Sequence, residues 1–224
     1  MRVLTTRPER EATALATALS ERGHEPVIAP LFRLEILHPP ADFAATLAAS
    51  QAVLLSSANG ARALAEASEQ RGKTVLAVGD TTASTAEGLG FSAVTSAAGD
   101  GAALGRDGFV VHRFTLYDAR EERALPDSAR AALQARALDA ITFFSPRAAR
   151  LFAKLVGEAG LADALRPVTA IAISPAVLAP LGDLPFKATV AAARPTRQAV
   201  LDEIDRLAEA GVKGQAIGRC RRRG

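Results

Sequence analysis

The stretch Ala140-Ile141-Thr142-Phe143-Phe144-Ser145-Pro146-Arg147-Ala148-Ala149-Arg150-Leu151-Phe152 decides the fold class. Its first five residues are a β-forming run with no polar face, as expected of a parallel strand covered on both sides. Ser145 and Pro146 then have the character of a helix cap and first turn, and the following apolar residues return at helical spacing. A strand running straight into a helix is the grammar of α/β proteins. The same grammar appears earlier in Val53-Leu54-Leu55-Ser56-Ser57-Ala58-Asn59-Gly60-Ala61-Arg62-Ala63-Leu64, where Ser57 to Leu64 answers to Ser145 to Phe152. The next strands end similarly, at Gly79-Asp80-Thr81 and Ser174-Pro175-Ala176, so the chain reads as two similar α/β halves.

Working outward, short β-forming runs alternate with Ala/Leu-rich helical stretches. Strands are expected at Arg2 to Thr5, Pro26 to Ala29, Ala52 to Ser56, Thr74 to Val78, Ser92 to Thr95, Phe109 to Leu116, Ala140 to Phe144, Val168 to Ile173 and Ala188 to Ala191. Helices are expected at Glu9 to Arg22, Asp42 to Ala49, Asn59 to Gln70, Thr81 to Leu89, Asp127 to Ala135, Pro146 to Glu158, Pro175 to Leu181 and Thr196 to Ala210. Two extended segments, Phe32 to Pro40 and Phe109 to Arg120, lack the Gly/Ser character of loose linkers and read as strands joining the halves. The expected organisation is a discontinuous first domain, 1–34 with 119–213, a second domain, 38–114, and a basic flexible tail, 214–224. The second domain reads as shortened near 104–108. Ala98 to Leu104 begins a helix that stops at Gly105-Arg106-Asp107-Gly108, short of the dozen or so residues a parallel crossover needs.

At 224 residues, with 49% apolar and 23% charged residues, the chain has the composition of an ordinary globular protein rather than a disordered or fibrous one. One cysteine, Cys220, excludes an internal disulfide framework and a multi-thiolate metal site, and points to a reducing, cytoplasmic compartment. No apolar run approaches the roughly 20 residues that span a bilayer, so no membrane partner is expected. The net charge of +3 is terminal: without Arg219, Arg221, Arg222 and Arg223 the 27 basic residues become 23 against 24 acidic ones. With no Trp, one Tyr and no basic stripe on a folded segment, a nucleic-acid partner is not expected.

The carboxyl end of a strand feeding a helix exposes free N–H groups and the positive end of the helix dipole, a combination that attracts anions. Four such turns stand out: Ser56-Ser57-Ala58-Asn59-Gly60, Gly79-Asp80-Thr81-Thr82, Ser145-Pro146-Arg147 and Ser174-Pro175-Ala176. Each could be a simple helix cap; together they suit an anionic ligand in a cleft. The phosphate-loop, dinucleotide, zinc-protease and nucleophile-elbow signatures are absent. His24, His38 and His112 have no partner at metal-ligand spacing and read as surface or packing residues. Tyr117, the only tyrosine, lies at the joining strand, where its phenol could serve as a proton donor.

In order and spacing, these turns resemble the uroporphyrinogen-III synthase family, the cofactor-free cyclising lyases of haem and other tetrapyrrole (porphyrin) biosynthesis. The resemblance covers nearly the whole chain. It is carried by Val3-Leu4-Thr5-Thr6-Arg7-Pro8, Pro26-Val27-Ile28-Ala29-Pro30-Leu31, Leu55-Ser56-Ser57-Ala58-Asn59-Gly60 and Val78-Gly79-Asp80-Thr81-Thr82-Ala83. It continues through Leu116-Tyr117-Asp118-Ala119, Ile141-Thr142-Phe143-Phe144-Ser145-Pro146 and Arg194-Pro195-Thr196-Arg197-Gln198-Ala199.

The resemblance implies two parallel-sheet α/β domains joined by a two-stranded ladder, with the active-site cleft between them. It implies a hydro-lyase that takes hydroxymethylbilane, eliminates its hydroxyl as water and closes the macrocycle to uroporphyrinogen III with inversion of ring D through a spiro intermediate. Metal and cofactor are expected to be none, and the protein a monomer, with transient contact to the preceding pathway enzyme. Tyr117 falls on the family's suggested proton donor, and Thr82 and Ser145 on its polar cleft positions. Substrate is expected to bind at Arg7, Ser57, Asn59, Gly60, Gly79, Asp80, Thr81, Thr82, Ser145, Arg147, Ser174 and Thr196.

Two departures stand out. Relatives carry Gly-Pro-Thr-Thr where this chain reads Ser174-Pro175-Ala176-Val177, and a helix, a strand and a further helix that the interval Leu104 to Phe109 lacks. They leave open an alternative, a non-catalytic two-domain protein that binds an anionic tetrapyrrole or another small anion.

Overall fold

The computed structural model describes the backbone of residues 1–97 and 110–220 and the side chains of 1–96 and 110–210. Chain contacts divide it into unit 1, Met1–Arg33 with Arg120–Gly224, and unit 2, Leu34–Ala119.

Unit 1 is built on a five-stranded parallel sheet: β1 (Arg2–Thr5), β2 (Glu25–Ile28), β8 (Ala140–Phe143), β9 (Thr169–Ala172) and β10 (Ala188–Ala191). The spatial order is β10-β9-β8-β1-β2. The inner strands β8 and β9 are buried at every residue, which is why Ala-Ile-Thr-Phe and Thr-Ala-Ile-Ala lack polar alternation. Pro26, without an N–H, is tolerated because β2 is an edge strand. The helices are α1 (Glu9–Glu21), α5 (Asp127–Gln134), α6 (Pro146–Glu158), the short α7 (Pro175–Leu178) and α8 (Arg197–Cys220). Helix α1 buries Ala12, Leu15, Ala16 and Leu19, one face at the spacing of an amphipathic helix. In α6, Leu151, Phe152, Leu155 and Val156 do the same, and Phe152 meets Phe143 edge to face with centroids 5.2 Å apart.

In this order the chain leaves β1 toward β2 on one side and returns as β8 on the other. β1 and β8 therefore flank a topological switch point, where the loops at the strands' carboxyl ends diverge and open sheets bind ligands. Two buried hydroxyls brace that end: Thr142 donates to the Leu4 carbonyl at 3.2 Å, and Thr6 to the Thr142 carbonyl at 3.1 Å.

Unit 2 carries α2 (Phe43–Ala49), β4 (Ala52–Leu55), α3 (Ala58–Ala67), β5 (Thr74–Val78), α4 (Asp80–Gly88) and β6 (Ala93–Ala97). Its described parallel sheet has the order β4-β5-β6. The core gathers Phe43, Leu47, Leu55, Leu64, Val75 and Phe91, with Phe114 packed edge to face on Phe43 at 5.3 Å. Two cations close helix ends. Arg71 stacks on Phe91 and donates to the carbonyls of Ala65, Ser68 and Leu89, and Lys73 donates to those of Ala48 and Ser50.

A two-stranded antiparallel ladder pairs β3 (Phe32–Ile36) with β7 (Tyr117–Glu121), and the boundary between the units falls inside both strands. This corrects the strand expected at Phe109 to Leu116, because residues 110–116 form no strand. The last pairing contact is Leu37 N–H to the Leu116 carbonyl; the segment facing further extension holds Pro39 and Pro40, which have no N–H to give. The last helix also differs from its expected end at Ala210: α8 continues to Cys220. The helix start expected at Ala98 to Leu104 and the shortening near 104–108 lie outside the described residues, as do 221–224.

Candidate functional site

In unit 1 the switch point carries Arg7, just past β1, and Ser145 and Arg147, just past β8. Ser145 is the N-cap of α6, its Oγ accepting the Ala148 N–H at 3.1 Å, with Pro146 in the first turn. Arg7 is half-buried, and its Cζ lies 4.4 Å from the centroid of the Phe144 ring. Among the described residues its guanidinium has no hydrogen bond and no carboxylate within salt-bridge distance. Burial holds its pKa below the ordinary guanidinium value; Glu11 opposes this and the neighbouring Arg197 adds to it. A stacked, partly desolvated guanidinium with its donors unused has the chemistry to accept a carboxylate. Arg147 is already engaged, its Nε donating to Glu121 at 3.1 Å and its Cζ lying 4.8 Å over Phe32.

Farther along the sheet, Ser174 starts the four-residue α7, but its hydroxyl makes no cap hydrogen bond. Thr196 caps α8, its Oγ1 accepting the Ala199 N–H at 3.2 Å. Of the two residues at which the resemblance led threonine to be expected, Ala176 is exposed and Val177 is buried in the core. A hydroxyl is thus absent from a solvent-facing position and from a packed one.

In unit 2 the β4–α3 turn gathers Ser57, Asn59 and Gly60. Ser57 is the N-cap of α3, and its Oγ accepts the Gly60 N–H at 3.0 Å. A Cβ on Gly60 would stand 3.3 Å from that Oγ, so glycine permits the close approach. Asn59 Oδ1 accepts from Arg62 at 2.7 Å. The Tyr117 hydroxyl lies 3.0 Å from Ser57 Oγ, a contact across 60 positions of sequence. At the neighbouring β5–α4 turn, Gly79 has φ +82° and ψ 154°, a region open essentially to glycine alone, and starts α4 there. Asp80 accepts the Ser96 hydroxyl at 2.8 Å, the Thr81 carbonyl accepts the Thr85 hydroxyl at 2.8 Å, and Thr82 is buried.

The structure thus groups Arg7 with Ser145 and Arg147 in unit 1, and Ser57 and Gly60 with Tyr117 in unit 2. Sequence reading alone missed Phe144 as the platform under Arg7 and Arg197 as its neighbouring charge, although both stand inside stretches it singled out. It also missed that the Ser57 hydroxyl is spoken for by Gly60 and Tyr117. His24 is a packing residue, its Nε2 2.8 Å from Asp205; His38 and His112 are exposed. Among the described residues no three metal-ligating side chains cluster, and no helix is long and apolar enough to cross a membrane.

The family profile described as uroporphyrinogen-III synthase HemD matches residues 13–107 and 101–202. The chain belongs to the uroporphyrinogen-III synthase family, lyases of tetrapyrrole synthesis. No curated protein sequence matches it. Among solved structures, a selenomethionine-labelled mutant uroporphyrinogen III synthase from the extremely thermophilic bacterium Thermus thermophilus is similar in fold, with TM-score 0.53 and 18% identity over 94% of this chain and 99% of that one. The wild-type enzyme of the same organism gives 0.48 and 19% over 95% and 99%. The two family matches agree with the two similar α/β halves read from the sequence.

Proposed function

We propose that this protein acts on hydroxymethylbilane as a monomeric, cytoplasmic lyase without metal or cofactor, releasing water and yielding uroporphyrinogen III. In a chain of this family, the observation that carries the proposal is the Tyr117 phenol, hydrogen-bonded at the turn where β4 feeds α3. Tyr117 gives its proton to the leaving hydroxyl, the C–O bond breaks with its electron pair, and water departs. The electrophilic azafulvene carbon left behind is attacked by ring D to form the spiro intermediate; the older bond from ring D to its neighbouring ring then breaks and re-forms at ring D's free α carbon, whose proton leaves and restores the phenol, giving the inverted macrocycle. The chain's remaining task is orientation, which can supply a large part of a rate acceleration.

Arg7 supports the substrate assignment, because its unused donors match a carboxylate in a bidentate fork. Ser145 and Thr196 cap helices whose N-terminal N–H groups favour further carboxylates, and Gly79 to Thr82 and Asn59 do so in unit 2. Transient contact with the enzyme that makes the bilane would limit its spontaneous closure.

The test uses the substrate's own chemistry. Freshly made hydroxymethylbilane closes unaided to the type I isomer, so type III product above a protein-free control is the expected result. Type I alone, from folded protein, would overturn the proposal and leave a binding role.

A further inference from the structure

The contact between Ser57 and Tyr117 assigns Ser57 a role distinct from holding substrate. A serine hydroxyl has one hydrogen and two lone pairs. Here one lone pair accepts the Gly60 N–H at 3.0 Å, and among the described residues the one other polar contact of the oxygen is Tyr117 Oη, also at 3.0 Å. As an N-cap with φ −157° and ψ 153°, Ser57 is fixed to the first turn of α3, and the absent side chain of Gly60 lets the backbone approach it. Rotation about Cβ–Oγ can therefore turn either its hydrogen or its remaining lone pair to the phenol.

We infer that Ser57 is the positioning residue of the proton donor: it holds the Tyr117 hydroxyl in one orientation and donates to the phenolate oxygen once the proton has gone. The inference rests on the reading of Tyr117 given above. Before transfer, Tyr117 can donate to Ser57 or accept from it. In the step itself the phenol's proton passes to the departing hydroxyl, the C–O electron pair leaves with water, and the substrate becomes cationic. The phenolate then needs a donor, and Ser57 Oγ–H is in place to serve. The Gly60 N–H bond polarises that hydroxyl, as does the positive end of α3. The same oxygen that starts a helix thus stiffens and stabilises the acid.

Three variants separate this role from helix capping. Ser57→Thr keeps both the cap and the hydroxyl donor. Ser57→Asp keeps the cap but, when ionised, cannot donate to a phenolate. Ser57→Ala loses both. Tyr117 is the only tyrosine and the chain has no tryptophan, so the near-ultraviolet tyrosine band and fluorescence of the intact protein report this one phenol without substrate. Band position and yield are expected to shift in Ser57→Ala and Ser57→Asp and to return in Ser57→Thr. In turnover, Ser57→Ala and Ser57→Asp should lower kcat about tenfold or more with KM little changed, and Ser57→Thr should restore most of it. A slow Tyr117→Phe beside a full-speed, folded Ser57→Asp would overturn the role of Ser57 while leaving that of Tyr117 intact. An unchanged tyrosine spectrum in both Ser57→Ala and Ser57→Asp would overturn the contact itself. A full-speed Tyr117→Phe would remove the donor, and the inference with it.

Discussion

The two units solve the same folding problem with different resources. Unit 1 has a five-stranded parallel sheet in which β1 lies between β8 and β2, and Val3, Leu4, Ile141, Phe143 and Ile171 are wholly buried. The described sheet of unit 2 has three strands, and its largest buried side chains, Phe43 and Phe91, stay slightly exposed at 5% and 4%. A narrower sheet covers less apolar surface, and here Arg71 and Lys73 add hydrogen bonds to helix-end carbonyls. The chemistry divides in the same way. The strand ends of unit 1 offer a guanidinium on an aromatic ring, suited to charge, whereas those of unit 2 offer a phenol tied to a capped helix, suited to a proton. Sharing a strand-to-helix grammar, the units differ in which polar group each turn presents.

Phe143 gives the sharpest way to test the contrast in packing, because it is fully buried and meets Phe152 at 5.2 Å and Phe186 at 6.4 Å edge to face. Phe143→Ala is expected to cost about 3–5 kcal/mol in urea unfolding, and Phe91→Ala to fall at the lower end of that span. Equal losses, or a larger loss at Phe91, would break the ordering of the two cores. A smaller effect is expected at Gly79, where an added Cβ meets nothing within 4 Å, so the cost of Gly79→Ala is backbone strain at φ +82°. Urea unfolding should show a loss of about 1–3 kcal/mol. A neutral result would mean that the β5–α4 turn can relax without its positive φ.

Much of the fold is legible because local rules and burial agree. Thr74–Val78, Ala188–Ala191 and Pro146–Glu158 are read from the sequence with the bounds the structure gives them. Residues 110–116 mislead because a β-forming composition does not make a strand without a partner, and that partner is set by tertiary pairing against a segment holding Pro39 and Pro40. The candidate site is legible at its turns and not in its contacts. Ser57, Gly60 and Ser145 announce caps, but nothing local says that the phenol of Tyr117 reaches Ser57. Phe144 reads as the end of a buried strand, and only the placement of β8 beside β1 makes it the platform for Arg7. Thr196 stands out as a cap, while the charge beside it, Arg197, matters through a neighbour far away in sequence.

Steady-state kinetics of Arg7→Gln beside Tyr117→Phe, with type III product as the readout, separates the role of charge in one unit from that of the proton in the other. Arg7→Gln should raise KM about tenfold with kcat little changed, as when binding shared by ground and transition states is lost. Tyr117→Phe should lower kcat by about a hundredfold with KM nearly constant, the scale of general acid catalysis. The reverse pattern, or a loss of kcat alone in both, would contradict the assignment of charge to one unit and proton to the other.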